Sequence, residues 1–383
     1  MKKTLLSLAL FGAFSGAAMA ADNVQLYGIV DLGVEHLTFN NQSVNRLGSG
    51  IQSGSRIGLK GTEDLGGGLK AVFQLETGFC ANGNTANPYT GTSTSQGPQF
   101  SAGGSYCTGG QFMGRTSMVG LAGDFGTVAA GRIYSPYFNT LAAADPFGAG
   151  LTGSLTNIDQ TAITYVRVSQ AAAYITPNFS GFQGTLAYLF GGQPGDSSNG
   201  RAYSAALTYN NGPISAGGSY TNHNLTTGPG SSYVTNKIWN LYGSYDFGIA
   251  KLAAYYSDAK YGVPGVDELV TGTQNSEWKT WMLGATVPVG PGAVLASYAR
   301  TKDANLSNTT AKQYAIGYTY ALSKRTNLYT SYSHITNDSN VAYLVGDATA
   351  AGVGSNVAVG AGLSGLAGGQ SSSGFALGIR HQF

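Results

Sequence analysis

The sequence predicts an all-β chain, a 16-stranded antiparallel barrel that crosses a membrane, and three observations carry that prediction. The last eleven residues, Ser373 to Phe383, place Phe375, Leu377, Ile379, His381 and Phe383 on one parity and Gly374, Ala376, Gly378, Arg380 and Gln382 on the other. Such period-two alternation is a strand with one apolar face, and an aromatic at its end suits a lipid interface. Upstream, strand-like runs are separated by seven short and eight long breaks in strict alternation, so fifteen connections join sixteen strands. Finally, only 10% of residues are charged, against about 25% in soluble domains, and the mean hydropathy is −0.03. Alternating lipid-facing and water-facing side chains average to such a value, whereas spanning helices do not.

Taken in order, Lys2 and Lys3 precede an apolar run from Leu5 to Phe14 and then Ala18-Met19-Ala20. This is the pattern of a secretory signal peptide over residues 1–20, with the barrel domain over 21–383. Beyond it no stretch reaches the roughly 18 apolar residues of a spanning helix, and lipid cannot satisfy an open sheet edge, so membrane-crossing strands must close on themselves. The short breaks hold Gly, Pro, Asn or Asp and fall at 63–68, 123–126, 176–181, 211–213, 247–249, 288–292 and 322–325. The long ones are irregular and, apart from 135–160, polar; they fall at 37–50, 80–110, 135–160, 192–199, 224–234, 261–275, 303–310 and 337–372. Outer-membrane barrels show this same alternation of short periplasmic turns and long outer loops, and sixteen strands enclose an aqueous channel. Within the strands, Tyr314, Ile316, Tyr318 and Tyr320 alternate with Gln313, Ala315, Gly317 and Thr319. Cys80 and Cys107 share a Gly/Ser/Thr/Asn-rich segment, and an even count in an exported chain favours a disulfide between them. The Gly/Ala-rich segment 350–369 is read as part of the final outer loop.

The segment from Ser55 to Glu76, SRIGLKGTEDLGGGLKAVFQLE, resembles the second hairpin of general porins of Gram-negative outer membranes, of the betaproteobacterial type. Gly114-Arg115-Thr-Ser-Met-Val-Gly-Leu, Phe125-Gly-Thr-Val-Ala-Ala-Gly-Arg132, Pro177-Asn-Phe-Ser-Gly181 and the terminal strand are similar as well, in the family's order. The resemblance covers essentially the whole chain after the leader. It implies a sixteen-stranded barrel, usually a trimer, that passes small hydrophilic solutes passively. The cysteine-bearing second outer loop and the Gly/Ala-rich last loop depart from the pattern.

The break at 135–160 is apolar and nearly uncharged, with Asp145 its first carboxylate, unlike a loop that faces water. The resemblance implies that this third loop folds into the barrel and narrows it. Arg56 and Lys60 share the parity opposite Ile57 and Leu59, and are expected to face the lumen. The resemblance adds Arg115, Arg132 and Arg167 as pore-lining arginines. Together they would form a basic bank opposite Asp145, and banks of one charge set ion preference in pores. A weakly anion-preferring constriction is therefore expected. Asp31, Glu35 and Glu76 share the inward parity of their strands, and either pair with that bank or merely wet the lumen. Gly28 is a small lipid-side residue that would permit close packing of barrels in a trimer.

Three rival readings are a substrate-specific channel, an enzymatic barrel and a secreted soluble β-protein. His36, His223, His334 and His381 are dispersed, with no Gly-x-Ser-x-Gly and no His-Glu-x-x-His motif. No catalytic residue, metal site or cofactor is expected. Without Lys2 and Lys3 the 20 basic residues become 18, matching the 18 acidic ones, so nothing suggests a nucleic-acid partner. The expected partners are membrane lipid and lipopolysaccharide, small hydrophilic solutes and ions, and further copies of the chain in a homotrimer.

Overall fold

A computed structural model describes residues 23–39, 42–82, 100–101, 112–159, 161, 165–226, 233–262, 277–346 and 368–383. The proposed signal peptide, Cys107 and the segment 347–367 lie outside the described residues. Strand β1 (Asn23–Phe39) pairs through Leu32–Phe39 with β2 (Gln42–Ser49) and through Asn23–Ile29 with β3 (Arg56–Gly66). Thus β2 and β3 are two parts of one stave, interrupted at 50–55. The next strands are β4 (Leu69–Gly78), a two-residue β5 (Phe100–Ser101), β6 (Thr116–Gly123), β7 (Gly126–Tyr134), β8 (Arg167–Ile175) and β9 (Phe182–Leu189). They continue as β10 (Ala202–Asn211), β11 (Ile214–Thr226), β12 (Tyr233–Asp246), β13 (Lys251–Lys260) and β14 (Glu277–Val289). The last are β15 (Gly292–Asp303), β16 (Ala311–Ala321), β17 (Thr326–Asn337) and β18 (Ser372–Gln382). Neighbours pair antiparallel, and β18 returns to β1 over Ile29–Phe39, which closes the sheet. With β2 and β3 taken as one stave and β5 set aside, sixteen staves form the barrel, as the break pattern predicts.

All seven short breaks are tight turns at one end of the barrel. The first long break differs from expectation. Instead of an irregular loop over 37–50, the ladder runs on to Phe39↔Gln42, and the irregular stretch moves to 50–55. The cause is Asp31, whose inward carboxylate accepts from Gln52 N at 2.9 Å and Ser53 N at 2.6 Å, while its carbonyl takes Gly50 N at 2.8 Å. Backbone donors that would otherwise extend the stave are drawn to a side chain.

The outward face is apolar, with Leu26, Leu241, Leu283, Ile316 and Leu377 each about half exposed on the surface that meets lipid. Phe383 closes the terminal strand by exchanging backbone hydrogen bonds of 3.1 Å with Gly28. Its ring occupies the space that a Cβ on Gly28 would need. The terminal aromatic thus lies over Gly28, where a side chain would collide with it.

Between β7 and β8 the chain turns into the barrel. Ser135 caps the N-terminus of helix α1 (Pro136–Ala144) by accepting from Phe138 N at 2.9 Å, with Pro136 in the first turn, where a missing N–H costs nothing. The helix lies along β10–β13. Tyr137, Leu141, Leu155 and Ile158 are fully buried against Ile238, Tyr242, Trp278 and Met282 of the wall. Burial of each such side chain is worth roughly 1.5–3 kcal/mol, so the loop is held as a core rather than as a surface strap. Polar ties reinforce it: Thr140 donates to Asn240 at 2.7 Å, Gln313 donates to Gly153 O at 2.9 Å, and Leu151 N donates to Ile51 O at 2.7 Å. Pro146 and Phe147 fit over Gly284 and Gly317 of the wall, where a Cβ would collide with them.

Candidate pore constriction

The inserted loop packs along the β10–β17 side of the lumen, and Arg56 and Lys60 of β3, Arg115 at the approach to β6 and Arg167 of β8 gather on the opposite side. Glu76 is their hub. Arg115 Nε lies 2.5 Å from Glu76 Oε1, and Arg56 Nη1 lies 3.9 Å from the same oxygen. Tyr27 of β1 donates to Glu76 Oε2 at 3.0 Å and accepts from Gln74 at 2.6 Å. Lys60 is exposed, with its ammonium 5.3 Å from the centre of the Tyr27 ring. Arg115 Nη2 donates to Tyr134 Oη at 2.9 Å. Arg167 donates to the same hydroxyl, and its guanidinium carbon lies over the ring, 4.0 Å from its centre. Tyr134 in turn stacks on Phe138 of α1, with centroids 5.5 Å apart and planes 14° apart, and so joins the basic corner to the inserted helix.

Among the described residues the corner thus sets Arg56, Arg115, Arg167 and Lys60 around the carboxylate of Glu76. A guanidinium stays charged even when crowded by others, so the corner is net positive. Arg115 and Arg167 are each 2% exposed and serve mainly as frame, whereas the Arg56 side chain is 18% accessible and faces the water.

Two expected members stand elsewhere. Arg132 follows a bulge at Gly131 (φ +135°) that breaks simple alternation, and its guanidinium is held by Gly114 O and Ser169 Oγ, both at 2.6 Å. Asp145 is not a lumenal charge facing the arginines. It is 6% exposed and accepts from Phe147 N at 3.0 Å, Ala149 N at 3.0 Å and Leu155 N at 2.9 Å. Burial pushes its carboxyl up to about 6, against the pull of those three donors. The second loop carboxylate, Asp159, is likewise internal, taking hydroxyls from Tyr137, Tyr255 at 2.8 Å and Ser257 at 3.0 Å. Burial raises the Tyr137 hydroxyl well above its ordinary value. The accessible positions of α1 are Phe138, Asn139, Ala142 and Ala143, all uncharged.

Of the inward carboxylates left open by the sequence, Glu76 joins the arginines, Glu35 pairs with Arg46 at 2.7 Å, and Asp31 braces the break in the second stave. Sequence reasoning did not single out Tyr27, Tyr134 or Arg380. Strand parity was a sufficient signal for Tyr27, which shares it with Asp31, and for Arg380 in the terminal strand. Arg380 binds Asn327 and Ser53 at 3.1 and 3.2 Å. The four histidines sit apart, against Asn45, Tyr165, Ser373 and Thr326 respectively.

Comparison with known proteins agrees with this geometry. A family described as Gram-negative porin matches residues 5–340. Outer membrane porin protein 32 of Delftia acidovorans is 34% identical over 395 residues, covering 100% of both chains. An outer membrane porin protein of Bordetella pertussis is 34% identical over 389 residues, covering 88% of this chain and 95% of its own. Among solved structures, the anion-selective porin from Comamonas acidovorans superposes with a TM-score of 0.73 at 29% identity, over 94% of this chain and 100% of that one.

Proposed function

The chain belongs to the Gram-negative porin family, and from that premise we propose a water-filled channel for passive diffusion of small hydrophilic solutes and ions, with a modest preference for anions. It is an outer-membrane porin. The observation that carries the preference is the corner of Arg56, Arg115 and Arg167 around Glu76, facing an inserted helix whose accessible side chains are uncharged. An anion meets net positive charge on one wall and a neutral surface on the other. Asp145, held by the loop's own amides, and Asp159, held by Tyr137 of the loop and by Tyr255 and Ser257 of the wall, do not present that charge to the water. The anion selectivity printed for the Comamonas structure supports the same reading.

Lys60 and Arg56 act as the exposed contacts for a passing ion, while Arg115 and Arg167 hold the field in place. Dispersed histidines support a channel without catalysis. The signal peptide over residues 1–20 and assembly as a homotrimer complete the proposal. Liposomes containing the purified protein should swell in uncharged sugars at rates that fall steadily with sugar size. Swelling confined to one sugar would instead mean a substrate-specific channel. Cross-linking in mild detergent should give a ladder that stops at three, and a single band at one chain would refute the trimer.

A further inference from the structure

We propose that the shelf at 50–55 between β2 and β3, together with Arg380 and Asn327, is a contact site in the lumen for a carboxylate group, through which the channel favours carboxylates over halides of equal charge. The proposal rests on the water-filled, anion-passing lumen inferred above. The site stands apart from the hub at Glu76. Arg380 lies on β18, directly opposite Asp31 of β1, whereas Arg56 lies on the other side of β1, opposite Ile29.

The shelf is braced from both sides. Ile51 is fully buried in a cluster with Phe147, Leu151, Tyr329 and Ala376, and its carbonyl takes Leu151 N of the inserted loop at 2.7 Å. Asp31 holds the turn from behind through Gln52 N and Ser53 N, and its other oxygen takes the Tyr329 hydroxyl at 2.6 Å. Ser55 Oγ takes Asp31 N at 3.1 Å. The side chains of Gln52 and Ser53 remain half-buried, as do Asn327 and Arg380.

These four side chains turn their acceptors to one another and their donors to the water. Arg380 donates Nε to Asn327 Oδ1 at 3.1 Å and Nη1 to Ser53 Oγ at 3.2 Å, and Asn327 Nδ2 donates to Gln52 Oε1 at 2.9 Å. Two of the five guanidinium N–H groups are used in this way and three remain. The amide N–H groups of Gln52 and the hydroxyl proton of Ser53 remain as well. Among the described residues Arg380 forms no ion pair, because Asp31 spends its oxygens on neutral donors. Asp31 still balances the charge of Arg380 across the ladder, so the site acts through directed donors rather than through surplus charge.

A surface of donors selects a ligand that only accepts. A carboxylate brings two oxygens in one plane and matches the planar fork of a guanidinium with a hydroxyl beside it. A halide is a single sphere and cannot meet the fork at two points. A neutral amide of the same shape brings N–H groups that find no acceptor there. The bracing sets the donors before the ligand arrives, which lowers the ordering cost of contact. Half-open to water, the site also lets its ligand leave, as conduction requires.

The test reads chloride current through the purified protein in planar bilayers at about 1 M KCl, where the field of the basic corner is screened. Benzoate and its neutral counterpart benzamide are the probes. Benzoate should reduce the current saturably and benzamide should not. Arg380→Lys keeps the charge but loses the fork, and should raise the half-blocking benzoate concentration about tenfold. Ser53→Ala touches no charge and should raise it about threefold, which keeps the test decisive if the first variant does not fold. Equal effects of the two probes, a block unchanged in both variants, or a block present at about 0.01 M KCl and lost at about 1 M would each overturn the proposal. The zero-current potential of the parent at low salt separates this site from the reading beneath it. A chloride-signed potential without benzoate block strikes the carboxylate site alone, whereas a potassium-signed one strikes the anion preference and the site with it.

Discussion

Arg56→Gln removes one charge from the constriction and little else. The side chain is 18% accessible, and Glu76 keeps its closer partner Arg115 at 2.5 Å, so no buried charge is stranded. A unit charge about 7 Å from an ion's path contributes roughly 0.6 kcal/mol at the dielectric of water. Screening leaves about 0.5 kcal/mol near 0.01 M salt, about 0.3 kcal/mol near 0.1 M and almost nothing near 1 M. The term has opposite sign for anions and cations, so the anion-to-cation permeability ratio should fall about fivefold at the lowest salt and about threefold at the middle one. Reversal potentials in planar bilayers, taken at each salt level with a fixed tenfold gradient, read these ratios directly. A variant whose reversal potential matches the parent at about 0.01 M would refute the placement of Arg56 beside the ion path, as would a shift that persists near 1 M.

Asp145→Asn should leave the reversal potential unchanged but loosen the inserted loop, because Asn offers one acceptor oxygen to three backbone donors, at a cost of about 1–3 kcal/mol. In the parent the Asp145 carboxyl titrates at about 6, above its free value of 3.8, so its stabilising contribution is complete below about 4 and is lost as pH rises through about 6. Protection of the Leu155 and Ala149 amides, taken relative to their intrinsic exchange rate at each pH, should therefore fall between those limits in the parent and stay level in the variant. Gly284→Val places side-chain atoms where Pro146 now sits. It should displace the loop, costing about 1–3 kcal/mol, and alter single-channel conductance, whereas unchanged conductance would mean that the loop does not narrow the pore there. Cys80 and Cys107 should be inert to thiol labelling in the denatured, unreduced protein, and two reactive thiols per chain would exclude the disulfide.

Much of the barrel was legible because its signals are local. Alternation, turn glycines and the terminal Phe383 are properties of neighbouring residues, and they carried the strand number and the closing strand. The break at 50–55 was not legible, since it depends on Asp31 reaching Gln52 and Ser53 across a ladder whose register the sequence does not state. The same holds at the constriction. Parity turned Arg56, Lys60 and Glu76 inward, but their meeting at one hub is a matter of neighbouring staves. Asp145 looked like a free charge because its partners, the amides of Phe147, Ala149 and Leu155, reach it only once the loop has turned back on itself. Arg132 follows a bulge that alternation does not foresee.

The most direct test of the central claim is the zero-current potential of the unmodified protein in a planar bilayer under a tenfold KCl gradient at low salt. A basic corner facing an uncharged loop predicts a potential with the sign of chloride permeation, shrinking toward zero as salt is raised and the corner is screened. A potential with the sign of potassium permeation at low salt would contradict the account.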